Sequence, residues 1–338
     1  MRATVIHGPG DVRIEERDKP TIVDPTDAII KLAATCVCGS DLWAFRGTDA
    51  TDEPHPMGHE YVGVVEAVGP AVTDITPGQF VVGSFGVSDN TCEICRAGYQ
   101  TGCPNVTFIG SAQADYLRVP YADGSLVPTP EQPTEDQIPS LLAASDVLGI
   151  GWFAAVAAEV GPGKTVAVVG DGAVGLLAIL SAKQLGADKI IAMSRHADRQ
   201  ALAREFGASD IVEERGGAGV AKIKELTGGL GAHCVIEAVG SQESFQQAMR
   251  SCRPGGHVGY VGVAHGVELD GQELFFSHLH LHGGPAPVRQ YLPQLIDLIM
   301  SGTINPGRVF DLELGLDEVA DAYRAMDERR AIKVLLRP

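Results

Sequence analysis

The stretch Val168-Val169-Gly170-Asp171-Gly172-Ala173-Val174-Gly175 limits what this chain can fold into more than any other part of it. Residues 165–168 run into it with the apolar, β-branched character of a buried parallel strand. Residues 176–180 leave it with helical content that can continue to Gly186. A G-x-G-x-x-G set between a strand and a helix allows a tight turn, the close approach of a pyrophosphate and tight packing of helix on strand. The helix N-terminus adds free N–H groups and the positive end of a dipole. The same letters can mark an ordinary glycine-rich turn. With these flanks, Gly170, Gly172, Ala173, Val174 and Gly175 read as a dinucleotide site.

At 338 residues the chain is long enough for two domains with separate cores. Residues 1–145 read as mostly β, with short strand-like runs at 28–32, 61–65, 79–82 and 114–119 cut by Pro and Gly. From about residue 147 strands alternate with amphipathic helices: strands at 189–193, 234–237 and 257–261, and a helix at 199–206. That alternation marks a doubly wound parallel sheet. A helix over 291–300 and strands over 308–312 and 332–336 follow. The tail ends in strand character without a partner helix, so we expect it to rejoin the first domain. The boundaries expected are 1–147, 148–286 and 287–338.

A net charge of -17 argues against a nucleic-acid surface. The apolar runs are too short to span a bilayer, and residues 1–20 turn charged too soon for a signal peptide. A cytoplasmic location is the simplest expectation. In such a chain, seven clustered cysteines favour metal over disulfides. Cys38-Gly39-Ser40-Asp41 and Gly58-His59-Glu60 each place a zinc-ligand type beside a glycine and a carboxylate. A buried thiol and a supporting imidazole would look the same. Cys92-x2-Cys95-x7-Cys103, in a glycine-containing loop, points to a tetrahedral structural zinc. Asp89 has the spacing of a fourth ligand and equally the character of a turn residue.

Taken together, these motifs resemble the medium-chain, zinc-dependent alcohol dehydrogenase family, and Arg253-Pro254-Gly255-Gly256 extends the match over nearly the whole chain. The resemblance implies an α/β protein: a GroES-like β-barrel catalytic domain built from both chain ends, plus a Rossmann domain inserted between them. It implies Cys38 and His59 as catalytic zinc ligands. The third would be Asp146, where many bacterial members carry Asp for Cys; the residue alone could instead cap a helix. Glu60 would be the nearby carboxylate that exchanges on and off the metal. Ser40 would pass the substrate proton on, and Asp41 would hold the tautomer of His59. Asp89, Cys92, Cys95 and Cys103 would hold the structural zinc, with Asp89 replacing the usual first cysteine. Trp43 stands where the family often ends its proton relay with a histidine. Lys333 resembles a basic residue that reaches the cofactor pyrophosphate, and could also be a solvated strand-end lysine. The reaction implied is reversible hydride transfer from a primary or secondary alcohol, with zinc acting as the Lewis acid.

The end of the second strand speaks for the cofactor. An NAD enzyme usually carries Asp or Glu there; here Ser194-Arg195 follows Met193, and Arg199 lies one turn on. Arginine suits a 2′-phosphate, so NADP(H) is expected over NAD(H). Trp43, Phe85 and Phe108 are candidate pocket walls for an apolar alcohol, aldehyde or ketone, although any single Phe is more often core. Cys36, Cys234 and Cys252 read as buried thiols. His278, His280 and His282 alternate, so they read as one face of a strand at a subunit contact or in solvent. The family pairing of cofactor domains implies a homodimer or homotetramer. Two other readings stay open: a polyol or amino-alcohol dehydrogenase of the same family, and a catalytically silent NADPH-binding module.

Overall fold

The structure, a computed structural model, describes residues 1–48 and 53–338. Its chain divides into two compact units: Met1–Asp146 with Pro287–Pro338, and Val147–Ala286. No single helix among the described residues is long and apolar enough to cross a membrane.

The first unit is built on strand Ala28–Cys36. One edge pairs antiparallel with Tyr61–Val68. The other edge is shared: Tyr116–Val119 takes its first half, and the C-terminal strand Val334–Arg337 takes Thr35 and Cys36. The chain end therefore enters the sheet whose central strand leads directly to Cys38. Side chains alternate between the faces of a strand, and the apolar residues sort accordingly. Ala28, Ile30 and Leu32 face a core with Tyr61, Val65, Val81 and Leu117. Val334 and Leu336 face a second core with Val37, Leu42, Phe45, Met57 and Tyr323. Helix Val319–Asp327 supplies Val319, Ala322, Tyr323 and Met326 to that second core, the i, i+3, i+4, i+7 stripe of a helix lying on a sheet.

The second unit holds a six-stranded sheet in the order Asp210–Val212, Lys189–Met193, Thr165–Val169, Ala232–Glu237, Cys252–Tyr260, His280–Gly283. All five pairings are parallel. In chain order this is 3-2-1-4-5-6, the doubly wound arrangement whose ligands bind outside the strand ends where the order reverses. Strand Thr165–Val169 is flanked by Lys189–Met193 and Ala232–Glu237, so the glycine turn sits at that reversal. Helix Ala173–Gln184 starts directly after Gly172.

Some local expectations shift. Residues 306–309 form a short 3-10 helix, because Pro306-Gly307 removes one N–H and closes a turn; the strand there is Leu312–Gly315. His278 lies outside strand His280–Gly283 in left-handed conformation, φ 53°, so the three histidines do not share one strand face. His280 stacks on His257 at 4.3 Å, and His282 meets Phe153 edge-on. Cys36, Cys234 and Cys252 are buried thiols.

Gly175 shows how tightly the glycine turn is made. A Cβ there would lie 2.1 Å from the carbonyl oxygen of Gly170. Only a backbone shift could relieve that clash, and overpacking of this kind costs about 1–3 kcal/mol. Gly175→Ala should therefore lower the unfolding free energy by that amount, read as a lower urea midpoint with an unchanged slope. An unchanged midpoint would contradict the close approach.

Candidate metal and cofactor sites

Among the described residues, two groups of metal-ligand side chains converge, both in the first unit: Cys38, His59, Glu60 and Asp146, and Cys92, Cys95 and Cys103. The first is assembled from three segments. Cys38 follows the central strand Ala28–Cys36, and His59 and Glu60 precede its partner Tyr61–Val68. Asp146 follows helix Ile138–Ala144. One Asp146 oxygen lies 3.8 Å from Cys38 Sγ and 3.7 Å from His59 Nε2. Ligands at about 2.0–2.3 Å from a tetrahedral zinc stand roughly 3.4–3.6 Å apart, so a small contraction suffices. Glu60 Oε2 is buried and has no hydrogen-bond partner. A soft thiol, an imidazole, a carboxylate and an orphaned carboxylate oxygen together suit zinc.

The electrostatics of this group are unusual. Burial pushes the Cys38 thiol up, against the pull of Lys333. Burial alone would lower His59, but the neighbouring Cys38, Asp146 and Asp41 hold it well above the usual imidazole range. Burial also raises Glu60, against the pull of Lys333. His59 is thus raised by its acidic neighbours, whereas Cys38 and Glu60 are raised chiefly by burial.

Lys333 is the main departure from the sequence reading. Its ammonium is not a solvated strand end. It is 1% exposed, 2.6 Å from Glu60 Oε1, and also donates to the Val37 carbonyl. The reason is topological: Val334–Arg337 pairs beside Cys36, which draws residue 333 into the site.

Asp41 lies 3.5 Å from His59 Nδ1 and accepts the Cys38 backbone N–H at 2.9 Å. Ser40 is exposed and heads helix Asp41–Arg46 without a side-chain capping bond. Phe85 sets its edge against the His59 ring at 6.3 Å, and Phe108 stacks on Phe85 at 6.1 Å while itself exposed. Trp43 is half-buried on helix Asp41–Arg46.

In the second group, Cys92 Sγ stands 3.5 Å from Cys95 Sγ and 3.9 Å from Cys103 Sγ. A tetrahedral zinc with Zn–S of about 2.3 Å puts sulfurs roughly 3.8 Å apart, so these thiols fit one. Asp89 stands beside this group and closes a turn. Its Oδ1 lies 3.7 Å from Cys103 Sγ and also closes a turn by accepting Thr91 N–H. The Asn105 amide donates to its other oxygen and holds the carboxyl below its usual range.

The glycine turn and the arginines near it lie in the second unit. Gly170 takes φ 122°, and Gly172 leads the helix. Asp171, between them, accepts from Ser194 Oγ at 2.8 Å and lies 3.4 Å from Arg199 Nη1. Arg195 is exposed. The sequence reading passed over Arg215, which is half-buried; burial lowers its guanidinium, with Asp171, Arg195 and Glu243 acting on its charge. It also passed over Gln113 and Tyr323, which back Asp41 and carry no local mark in the sequence.

Two family models match, "Zinc-binding dehydrogenase" over residues 173–301 and "Alcohol dehydrogenase GroES-like domain" over residues 24–131. The chain is 33% identical to zinc-type alcohol dehydrogenase B of Aspergillus flavus, covering 100% of this chain and 81% of that one. It is 35% identical to a "probable zinc-binding alcohol dehydrogenase" of Mycobacterium tuberculosis, covering 100% and 89%. Among solved structures, the alcohol dehydrogenase TADH of Thermus sp. ATN1 superposes with a TM-score of 0.92 at 32% identity, over 100% of this chain and 99% of that one.

Removing one partner of a buried ion pair costs about 3–5 kcal/mol, because the other charge stays buried alone. Lys333→Met should therefore destabilise the protein by that amount in urea unfolding. Lys333→Met combined with Glu60→Gln should recover most of it. A double change no better than the single one would contradict the pairing.

Proposed function

We propose that this chain, which belongs to the medium-chain zinc-dependent alcohol dehydrogenase family and is thus a zinc-dependent oxidoreductase with a nicotinamide cofactor, transfers hydride between an alcohol and NADP+. The observation that carries this reading is the convergence of Cys38, His59, Glu60 and Asp146 within reach of one ion. Cys38, His59 and Asp146 would hold the catalytic zinc, and Cys92, Cys95 and Cys103, with Asp89 beside them, the structural one. When bound, the catalytic zinc supplies Lewis acidity at the substrate oxygen. Asp41 orients His59 so that Nε2 is the ligating nitrogen. Lys333 balances Glu60, which limits the negative charge of the site. Ser40 Oγ takes the proton that leaves the substrate hydroxyl, and its exposure lets the proton pass on to water. Phe85 and Phe108 form an apolar wall beside His59, which favours an apolar alcohol, aldehyde or ketone.

The preference for NADP(H) rests on Ser194 standing where an NAD enzyme carries an acid, and on Arg195, Arg199 and Arg215 around that position. Arg199 faces Asp171, so the guanidinium is held in place and exchanges a carboxylate for a phosphate when the cofactor binds. The expected kcat/KM ratio favours NADP+ over NAD+ by at least about tenfold, the effect of one well-formed charge-assisted contact. A preference for NAD+ would sink this assignment. Cys38→Ala should abolish turnover while NADPH binding, followed by fluorescence, is retained. Activity that survives the substitution would refute zinc catalysis at this site.

A further inference from the structure

Behind the His59 contact stands a buried polar chain that ends on the C-terminal helix. Gln113 Nε2 donates to Asp41 Oδ2 at 3.1 Å and to the Cys36 carbonyl at 3.0 Å. Tyr323 donates its hydroxyl to Gln113 Oε1 at 3.1 Å. Gln113 and Tyr323 are both fully buried. Burial and the nearby Asp41 hold the Tyr323 phenol well above its usual range, so it remains a donor.

The donor and acceptor inventory fixes how this chain is wired. Asp41 Oδ2 receives two N–H groups, one from the Cys38 backbone and one from Gln113. Its Oδ1 is left toward His59 Nδ1. A flipped Gln113 amide would turn its oxygen against two acceptors, the Cys36 carbonyl and Asp41, and leave the Tyr323 hydroxyl without its acceptor. The side chain is also locked sterically. Its backbone bridges two segments, accepting from Thr4 and donating to Met57. A Cβ on Gly58, which takes φ 94°, would lie 2.5 Å from Gln113 Cγ. Gly58 immediately precedes His59, so the same contact sets where His59 leaves the backbone. Tyr323 is held by Phe45, whose ring lies 5.3 Å away.

We propose that Gln113 and Tyr323 are positioning residues for the catalytic metal. Through Asp41 they fix His59 with Nε2 toward the other ligands, and they tie the metal site to helix Val319–Asp327. This rests on the assignment of Cys38, His59 and Asp146 as zinc ligands. A fully satisfied buried network rigidifies, whereas losing one member leaves the others free to reorient. Outer partners of a metal ligand typically govern metal affinity by about 10–100-fold. Tyr323 acts one bond further out, so an effect near the lower end is expected.

The test compares zinc release to a chelator from the zinc-loaded full chain and from Tyr323→Phe, Gln113→Leu and Asp41→Asn. Tyr323→Phe keeps the ring against Phe45 and removes only the hydroxyl. One zinc per chain should leave Tyr323→Phe roughly tenfold faster than from the unaltered protein, while the second, held by the cysteine loop, leaves at an unaltered rate. Cobalt placed in the faster site should show a shifted visible spectrum in the same variant. Release at the unaltered rate from both Tyr323→Phe and Gln113→Leu, with Asp41→Asn accelerated, would overturn the proposal. Loss of both zincs in step would overturn it too, as the mark of general loosening. Cys38→Ala separates the two levels. If it still holds both zincs, the ligand assignment has failed. If it holds one and Tyr323→Phe behaves as unaltered, only the positioning role has failed.

Discussion

The ion pair between Lys333 and Glu60 is the contact on which the first unit depends. Its partners are 273 residues apart in sequence and 2.6 Å apart in space, each 1% exposed. Three buried carboxylates, Asp41, Glu60 and Asp146, would repel one another without a compensating cation. Lys333 supplies one, and strand Val334–Arg337, pairing beside Cys36, delivers it. The return of the chain end to the first unit is therefore an electrostatic requirement of the candidate metal site as much as a matter of topology.

What the sequence made legible follows from how local each requirement is. The glycine turn announces itself because a strand, three glycines and a helix must be contiguous. The cysteine loop does so because three thiols of one tetrahedron fit within a short loop. The α/β alternation and the return of the tail could likewise be read from pattern. Asp146 entered only through family resemblance, since nothing around it marks it as a ligand. The pairing of Lys333 with Glu60 was not legible: strand character was visible, but its register against Cys36 was not. Gln113 and Tyr323 were missed because they are 210 residues apart and each sits in unremarkable local sequence.

The cofactor side shows a subtler limit. The absence of an acid after Met193 was legible, but Asp171 supplies one from within the glycine turn itself, bonded to Ser194 and facing Arg199. Asp171 thus occupies Arg199 from within the turn, a partner that the sequence around Met193 does not announce.

The central claim is that one ion binds between Cys38, His59 and Asp146. Anomalous diffraction from crystals of the zinc-loaded protein, recorded above and below the zinc edge, tests it most directly. The account predicts two peaks per chain, one within about 2.0–2.3 Å of Cys38 Sγ, His59 Nε2 and an Asp146 oxygen, the other among Cys92, Cys95 and Cys103. A peak in the cysteine loop with none between Cys38 and His59 would contradict it.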